Sequence, residues 1–288
     1  MPSTIGIKRR IGSVKSTRQI TKAMELVAAS KMRRAQEAAS RTLDYAKAAK
    51  AVLAHLNANK ETTDAPLYKE RPVKNKLYIL VSSDRGLAGA YNYNVLKKFT
   101  GYVKQDFESK VGVKVIAIGK KAGGVAIRVK GIETLGIYAD FPDEPDTSHL
   151  LPIVGTAIDL FLKQEIDEVS VIYTNYRSSI AQDVLQLGLL PAGVEEVELD
   201  ERLSQATFEP SAEEVLEKIT IRLLETQLMQ AVLSAAASEH SMRMLAMKNA
   251  SDNARDIISD LTLEMNKARQ AVITQELAEI SGGVEAMS

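Results

Sequence analysis

Two long stretches of this sequence contain neither glycine nor proline. The first runs from residue 13 to 65 and the second from residue 211 to 281, whereas most glycines and prolines lie between them. Glycine and proline are the residues that most often end or bend a helix. Their absence predicts two long helices, one near each end of the chain, on either side of a globular middle.

The ends of these helices carry recognisable signals. The N-terminal helix is predicted over residues 3–57. The C-terminal helix is predicted to begin near Ser211, which forms a capping box with Glu214 three residues later, and to end at Gly282 and Gly283. Helices of this length need a packing partner along much of their surface.

Apolar residues in the C-terminal helix alternate by four and three positions, and only His240 and Ser251 interrupt the pattern. Such a heptad pattern is typical of a coiled coil. The large apolar members of this seam are Leu233, Met244, Met247, Ile258, Leu261, Met265 and Val272. Met242 lies off the seam, where it would face water or a partner.

The N-terminal helix has a looser register from Ile7 to Ala39, with a second apolar strip at Ile20, Met24 and Val27 beside it. Because both helices flank one domain, we expect them to form a long antiparallel coiled coil. The last turns of the longer C-terminal helix should then extend beyond the pair.

The middle of the chain alternates between apolar runs and amphipathic segments. Strands are predicted at 77–83, 113–119 and 168–176, with an edge strand or hairpin at 179–190. Helices are predicted at 90–109 and 149–166, with a short one starting at residue 120. Alternation of this kind predicts a doubly wound, Rossmann-like α/β domain. The predicted division is therefore 1–60 and 210–288 for the two helices and 75–200 for the α/β domain.

The charges are unevenly distributed although they sum to zero. Residues 1–60 contain thirteen Lys or Arg and three acids, and residues 195–225 contain ten acids and three bases. This pattern fits solvated helix faces, and it also fits a basic helix that meets an acidic partner. Tyr45 is the only aromatic residue of the basic helix, which argues against nucleic acid as that partner.

Motifs for chemistry are weak. Gly86 and Gly89 follow the first strand without completing a dinucleotide fingerprint, and the segment beginning at Gly119 departs from a P-loop at two positions. The three histidines, His55, His149 and His240, have no ligand spacing, and the chain has no cysteine. We therefore predict no cofactor, no metal and no catalytic residues.

Four segments together resemble the gamma-subunit family of F-type ATP synthases. They are KRRIGSVKSTRQITKAMELVAASKMRRAQ (8–36), SDRGLAGAYN (83–92), SMRMLAMKNASDNA (241–254) and NKARQAVITQELAEISGGVEA (266–286). The resemblance implies a rotor shaft that couples proton flow through the membrane c-ring to nucleotide chemistry in a ring of three alpha and three beta subunits. The implied partners are these alpha and beta subunits, an epsilon subunit and the c-subunit ring.

The same resemblance implies particular contacts. Contacts with the beta subunit are implied for Lys22, Met24, Glu25, Arg269, Gln270, Thr274 and Glu276. Contacts with the c-ring at the base are implied for Phe208 and Glu209. Lack of a cysteine-bearing insert and of a leader points to a bacterial protein on the cytoplasmic face of the plasma membrane, which meets the membrane only through the c-ring. Two alternatives are a coiled-coil scaffold with an α/β head and a free-standing nucleotide-binding enzyme.

Overall fold

The computed structural model describes residues 4–58, 65–193 and 211–285. The chain forms two compact units. One combines Met1–Ala28 with Arg243–Ser288, and the other comprises Ala29–Met242. Each long helix contributes residues to both units, because the first helix runs through residue 28 and the last through residue 243 without a break.

The elements follow one another in the order expected for helices around an α/β domain. They are α1 (Thr4–Ala58), a 3-10 turn (Pro66–Tyr68), β1 (Asn75–Val81), α2 (Tyr91–Glu108), β2 (Gly112–Ile118), α3 (Lys120–Ala126), β3 (Ile132–Tyr138), α4 (Thr147–Leu162), β4 (Glu168–Tyr176), β5 (Gln182–Leu190) and α5 (Ala212–Glu285).

The five strands form one sheet in the order β3-β2-β1-β4-β5. The first four strands are parallel, and β5 runs antiparallel to β4 at the edge. This confirms the doubly wound, Rossmann-like α/β fold and the edge position predicted for residues 179–190. Strand β3 was not predicted, because its seven residues lie at the other edge of the sheet and include Gly136.

Both faces of the sheet are covered. On one face, α2 and α3 bury a cluster that includes Tyr78, Leu80 and Phe99. On the other face, α4 and the early part of α5 bury a larger cluster that includes Leu77, Phe161 and Leu228. A strand buried on both faces must be apolar throughout, which explains why β1 reads as the continuous run Leu77–Val81.

The two long helices pair antiparallel, as expected. In the unit formed by the chain ends, Ile7 and Ile11 of α1 pack with Leu261 of α5. In the other unit, Leu53 near the end of α1 packs with Leu216 near the start of α5. The beginning of each helix therefore lies beside the end of the other.

The residues of the predicted seam differ in their burial. Met247 and Leu261 are buried, and Met244, Ile258 and Met265 are half-buried. Val272 is 47% exposed, so the seam ends before it and the last turns of α5 expose their apolar residues. Leu233 is buried in the cluster beneath the sheet and thus belongs to the α/β core.

The ends of α5 partly match the prediction. Ser211 precedes the first helical residue, and its hydroxyl oxygen accepts a hydrogen bond from the backbone NH of Glu214 at 3.2 Å. At the other end the helix continues to Glu285, past the two glycines that were predicted to end it. Glycine in a helix costs about 1 kcal/mol relative to alanine, which weakens a helix without forbidding it.

A buried polar cluster beneath α2 predicts an alkaline pH dependence. The hydroxyl of Tyr78 donates to the Asp106 carboxylate at 2.5 Å, and Lys76 Nζ lies 3.1 Å from the same carboxylate. Burial, reinforced by this hydrogen bond, raises the pKa of Tyr78 above its ordinary value of 10.0. As the pH rises, the unfolded chain loses the Tyr78 proton before the folded chain does. The stabilisation that comes from this proton is therefore fully present below about pH 10 and is lost progressively above it.

Tyr78→Phe should remove that part of the pH dependence. Above about pH 10, we expect the free energy of unfolding to fall less steeply in the variant, by about 1.4 kcal/mol per pH unit. Urea unfolding of both proteins between pH 8 and 11 measures the two slopes. Parallel slopes for the two proteins would contradict the assignment.

Candidate functional site

An exposed groove of about 510 Å³ lies on α1 in the unit formed by the chain ends. Its lining residues are Lys15, Arg18, Gln19, Lys22, Ala23 and Leu26. Lys22 donates hydrogen bonds to Glu25 at 2.9 and 3.0 Å, which offsets its charge. Within the described chain, no carboxylate forms an ion pair with Lys15 or Arg18. We call Lys15, Arg18 and Lys22 the basic strip.

Apolar side chains are exposed beside the basic strip. Ile20, Leu26 and Val27 are 60%, 61% and 56% exposed, and Met24 is half-buried. Isolated exposed apolar residues are common on protein surfaces. Several exposed apolar residues beside basic side chains that lack an ion-pair partner, all on one helix, indicate an interaction surface. The second apolar strip of the sequence is thus largely exposed and lies beside the seam.

The predicted beta-contact residues near the end of α5 are also exposed. These are Arg269, Gln270, Thr274 and Glu276. The hydroxyl of Thr274 donates to the backbone carbonyl of Gln270, an ordinary bond within a helix that leaves both side chains facing outward. Exposed apolar residues follow in the last turns, where Leu277 and Ile280 are 60% and 64% exposed.

The base of the protein is described only in part. Phe208 and Glu209, which were predicted to contact the c-ring, lie outside the described residues. The acidic segment 195–225 is described only from residue 211 onward.

The β1–α2 connection and the start of α3, which carry the two glycine segments noted in the sequence, are joined by hydrogen bonds. At the start of α3, Asp84 Oδ1 accepts from the backbone NH of Lys120 at 2.9 Å, and Ser82 Oγ accepts from that of Ala122 at 2.7 Å. Backbone NH groups at a helix start are donors that an anion can use, and here two side chains of the chain itself accept from them. Gly119, at φ +94°, allows this close approach, since a Cβ there would lie 2.3 Å from the Ser82 carbonyl oxygen.

Several contacts in the larger unit were not anticipated from the sequence. Ser234, Ser238 and Ser241 occupy one face of α5. Their hydroxyls bond to the end of β4 and to the β4–β5 turn, at Tyr176 NH, Thr174 O and Ser179 O respectively. The spacing of these serines by four and three positions places them on one helix face, and this pattern in the sequence could have indicated the contact.

Met242 is also placed differently from the prediction. A Cβ added to Gly89 would lie 3.7 Å from Met242 Cε, so this methionine packs beside the β1–α2 loop. Met242 is half-buried, so this loop covers it in part. Met247 of the same sequence motif is buried and Met244 is half-buried.

His240 interrupts the heptad pattern because it binds a carboxylate. Its Nε2 lies 3.0 Å from Asp143 Oδ1, and Lys31 Nζ donates to Asp143 Oδ2 at 2.7 Å. The hydrogen bond from His240, supported by that from Lys31, holds the pKa of Asp143 below its usual range. Asp143 is therefore an anion that contacts α1 and α5 together.

The described part of the chain contains neither a candidate membrane span nor a candidate metal cluster. None of its helices combines the length and the apolar character that a membrane span requires. In residues 4–58, 65–193 and 211–285, no three acidic or histidine side chains are grouped so that they could share a metal ion.

Comparison with known proteins places this chain in a class. A family model described as ATP synthase matches residues 3–287. The ATP synthase gamma chain of Roseiflexus castenholzii is 42% identical over all of this chain and 99% of its own length. That of Staphylococcus carnosus is 38% identical over the full length of both chains. The chain belongs to the family of ATP synthase gamma chains.

Solved structures show the same fold. A chain in the Euglena gracilis mitochondrial ATP synthase matches with a TM-score of 0.65, at 18% identity, over 99% of this chain and 94% of its own. A chain from the central stalk and c-ring of the Tetrahymena thermophila enzyme matches with a TM-score of 0.60, at 21% identity, over 81% of this chain and 99% of its own. Membership of the gamma-chain family confirms the rotor-shaft function in preference to the scaffold.

Proposed function

We propose that this chain turns inside an alpha–beta catalytic ring and couples proton flow through the c-ring to nucleotide chemistry by side-chain contacts from both long helices. The observation that carries this proposal is the exposure of the basic strip beside Ile20, Leu26 and Val27. Unpaired cations next to apolar surface suit an acidic, partly apolar loop on a protein partner.

On α1, the proposed contact is with an acidic loop of the beta subunit. Lys22, Met24 and Glu25 match the family segment that meets this loop. Because Glu25 already pairs with Lys22, the attraction should come mainly from Lys15 and Arg18. These side chains lie in the same groove and therefore act on one loop together.

On α5, a second contact with beta is proposed at Arg269, Gln270, Thr274 and Glu276. All four residues are exposed, and they offer a cation, an amide, a hydroxyl and an anion along two turns of helix. These side chains can form polar contacts with one beta subunit, break them, and form them again with the next. Contacts that differ between three otherwise equal subunits bias each of them toward a different conformation.

The proposal extends to the remaining partners and to location. Contact with the c-ring at Phe208 and Glu209, contact with an epsilon subunit, and a position on the cytoplasmic face of a bacterial membrane rest on the resemblance. The chain performs no bond chemistry in this account. In support of that view, Asp84 and Ser82 accept hydrogen bonds from the backbone NH groups of Lys120 and Ala122 at the start of α3.

Reconstitution tests the proposal. The full chain is added to purified alpha and beta subunits of the same enzyme, and then to membranes that contain the c-ring. We expect it to change the ATPase rate of the ring and to restore ATP-driven proton transport. A ring whose ATPase is indifferent to the chain would overturn the rotor function, and micromolar ATP binding by the isolated chain would favour an enzyme instead.

A further inference from the structure

Three connections of the α/β domain contact the long helices within one short stretch. The connections follow β1, β3 and β4, so all three lie at the carboxyl edge of the parallel strands. We call the contacting residues the collar; on the domain they are Gly89, Asp143 and Ser179, and on the helices Lys31, His240, Ser241 and Met242.

The collar occupies the edge where many α/β domains bind their ligands. In this chain α5 lies there instead, with Met242 beside Gly89 and Ser241 donating to the Ser179 carbonyl at 3.2 Å. This edge of the domain thus holds a helix.

Asp143 differs from the other collar residues because it contacts both helices. One carboxylate oxygen accepts from Lys31 of α1 at 2.7 Å, and the other lies 3.0 Å from the ring nitrogen of His240 in α5. His240 is only 3% exposed, whereas the Asp143 side chain is 40% exposed, so the bond is shielded from water on the histidine side only. A hydrogen bond with one buried partner is costly to break, because it would leave a buried polar group unpaired.

The type of contact matters for a part that transmits a turning force. Apolar packing is non-directional and lets one surface slide along another. A hydrogen bond weakens steeply when its angle or length changes, and therefore resists sliding. We infer that the collar, with Asp143 as its central residue, transmits the turning force between the α/β domain and the two long helices.

This inference rests on the proposed function, and the test uses the assembled complex in vesicles. Asp143→Ala should leave the ATP hydrolysis rate within twofold of the unmodified complex and lower the steady-state proton gradient at least twofold. Lys31→Ala, which keeps the contact between Asp143 and His240, should lower the gradient by a smaller factor. It also serves as the test variant if Asp143→Ala does not assemble.

A matched control lies on the same connection. Asp140 pairs with exposed Lys120 and with neither long helix, and Asn tolerates its positive φ of 54°. Asp140→Asn should therefore pump protons like the unmodified complex. An equal loss in this control and in Asp143→Ala would overturn the inference.

Covalent rescue separates a mechanical role from a merely structural one. The chain contains no cysteine, so Lys31→Cys with Asp143→Cys provides one reactive pair that a flexible bismaleimide can bridge before assembly. Bridging should restore the gradient that the double variant loses.

Failure of the proposed function and failure of the collar inference give different results. If the unmodified chain supports no pumping, the proposed function fails. If it pumps and the Asp143→Ala and Lys31→Ala complexes pump equally well, or if bridging restores nothing, only the collar inference is overturned.

Discussion

Gly119→Ala is expected to destabilise the α/β domain by about 4 kcal/mol, from backbone strain of about 1–3 kcal/mol and overpacking of about 1–3 kcal/mol. Gly119 has a φ of +94°, and a Cβ there would lie 2.3 Å from the carbonyl oxygen and 2.8 Å from the carbonyl carbon of Ser82. These are backbone atoms of the residue that directly follows β1, and the Ser82 NH donates to the Ile118 carbonyl of β2. The clash therefore pushes two central strands apart.

The measurement is urea unfolding followed by the near-ultraviolet circular dichroism of the tyrosines, several of which lie in the domain. Gly155→Ala in α4 is the control, because a Cβ there meets nothing within 4 Å and its φ is not positive. Alanine should stabilise that helix by about 1 kcal/mol. Equal unfolding midpoints for Gly119→Ala and the unmodified chain would show that the close approach to Ser82 is unimportant.

Reversing two charges of the basic strip should produce the largest functional effect. With Lys15→Glu and Arg18→Glu together, we expect the affinity for the alpha–beta ring to fall about 10- to 100-fold at low salt, because an attractive contact becomes repulsive. The helix itself should persist, since Lys, Arg and Glu have similar helix propensities. Titration of the chain into the ring at two ionic strengths measures the effect.

Salt dependence provides the diagnostic feature. Raising the salt concentration shortens the range of electrostatic interactions, so the difference between variant and unmodified chain should shrink. Lys97→Glu with Lys104→Glu, on exposed positions of α2, makes the same change of charge in the α/β domain. If this control weakens binding as much, the effect comes from net charge, and the basic strip has no special role.

The sequence predicted the architecture because its strongest signals are long and local. Two stretches free of glycine and proline extend over many turns, and the apolar run Leu77–Val81 belongs to a strand that is buried on both faces. Strand β3 lacked such a signal. It lies at the edge of the sheet, where half-buried positions permit the mixed run Ile132–Tyr138.

The collar could not be predicted because its partners lie far apart in the sequence. His240 was recognised as a polar interruption of the seam, but nothing local identifies Asp143 as its partner. Leu233 shows the same limit, since a heptad position reads alike whether it faces another helix or a sheet. The exposure of Val272 likewise depends on where the seam between the two helices stops.

The position of the α/β domain between the two long helices also constrains how the chain folds. Ile7 and Leu261 are in contact, but the whole α/β domain separates them in the sequence. An early encounter between them would therefore close a very long loop. The contacts of the domain are closer in sequence and should form first. During synthesis on the ribosome, the first helix would then remain without its partner helix until nearly the entire chain has been made.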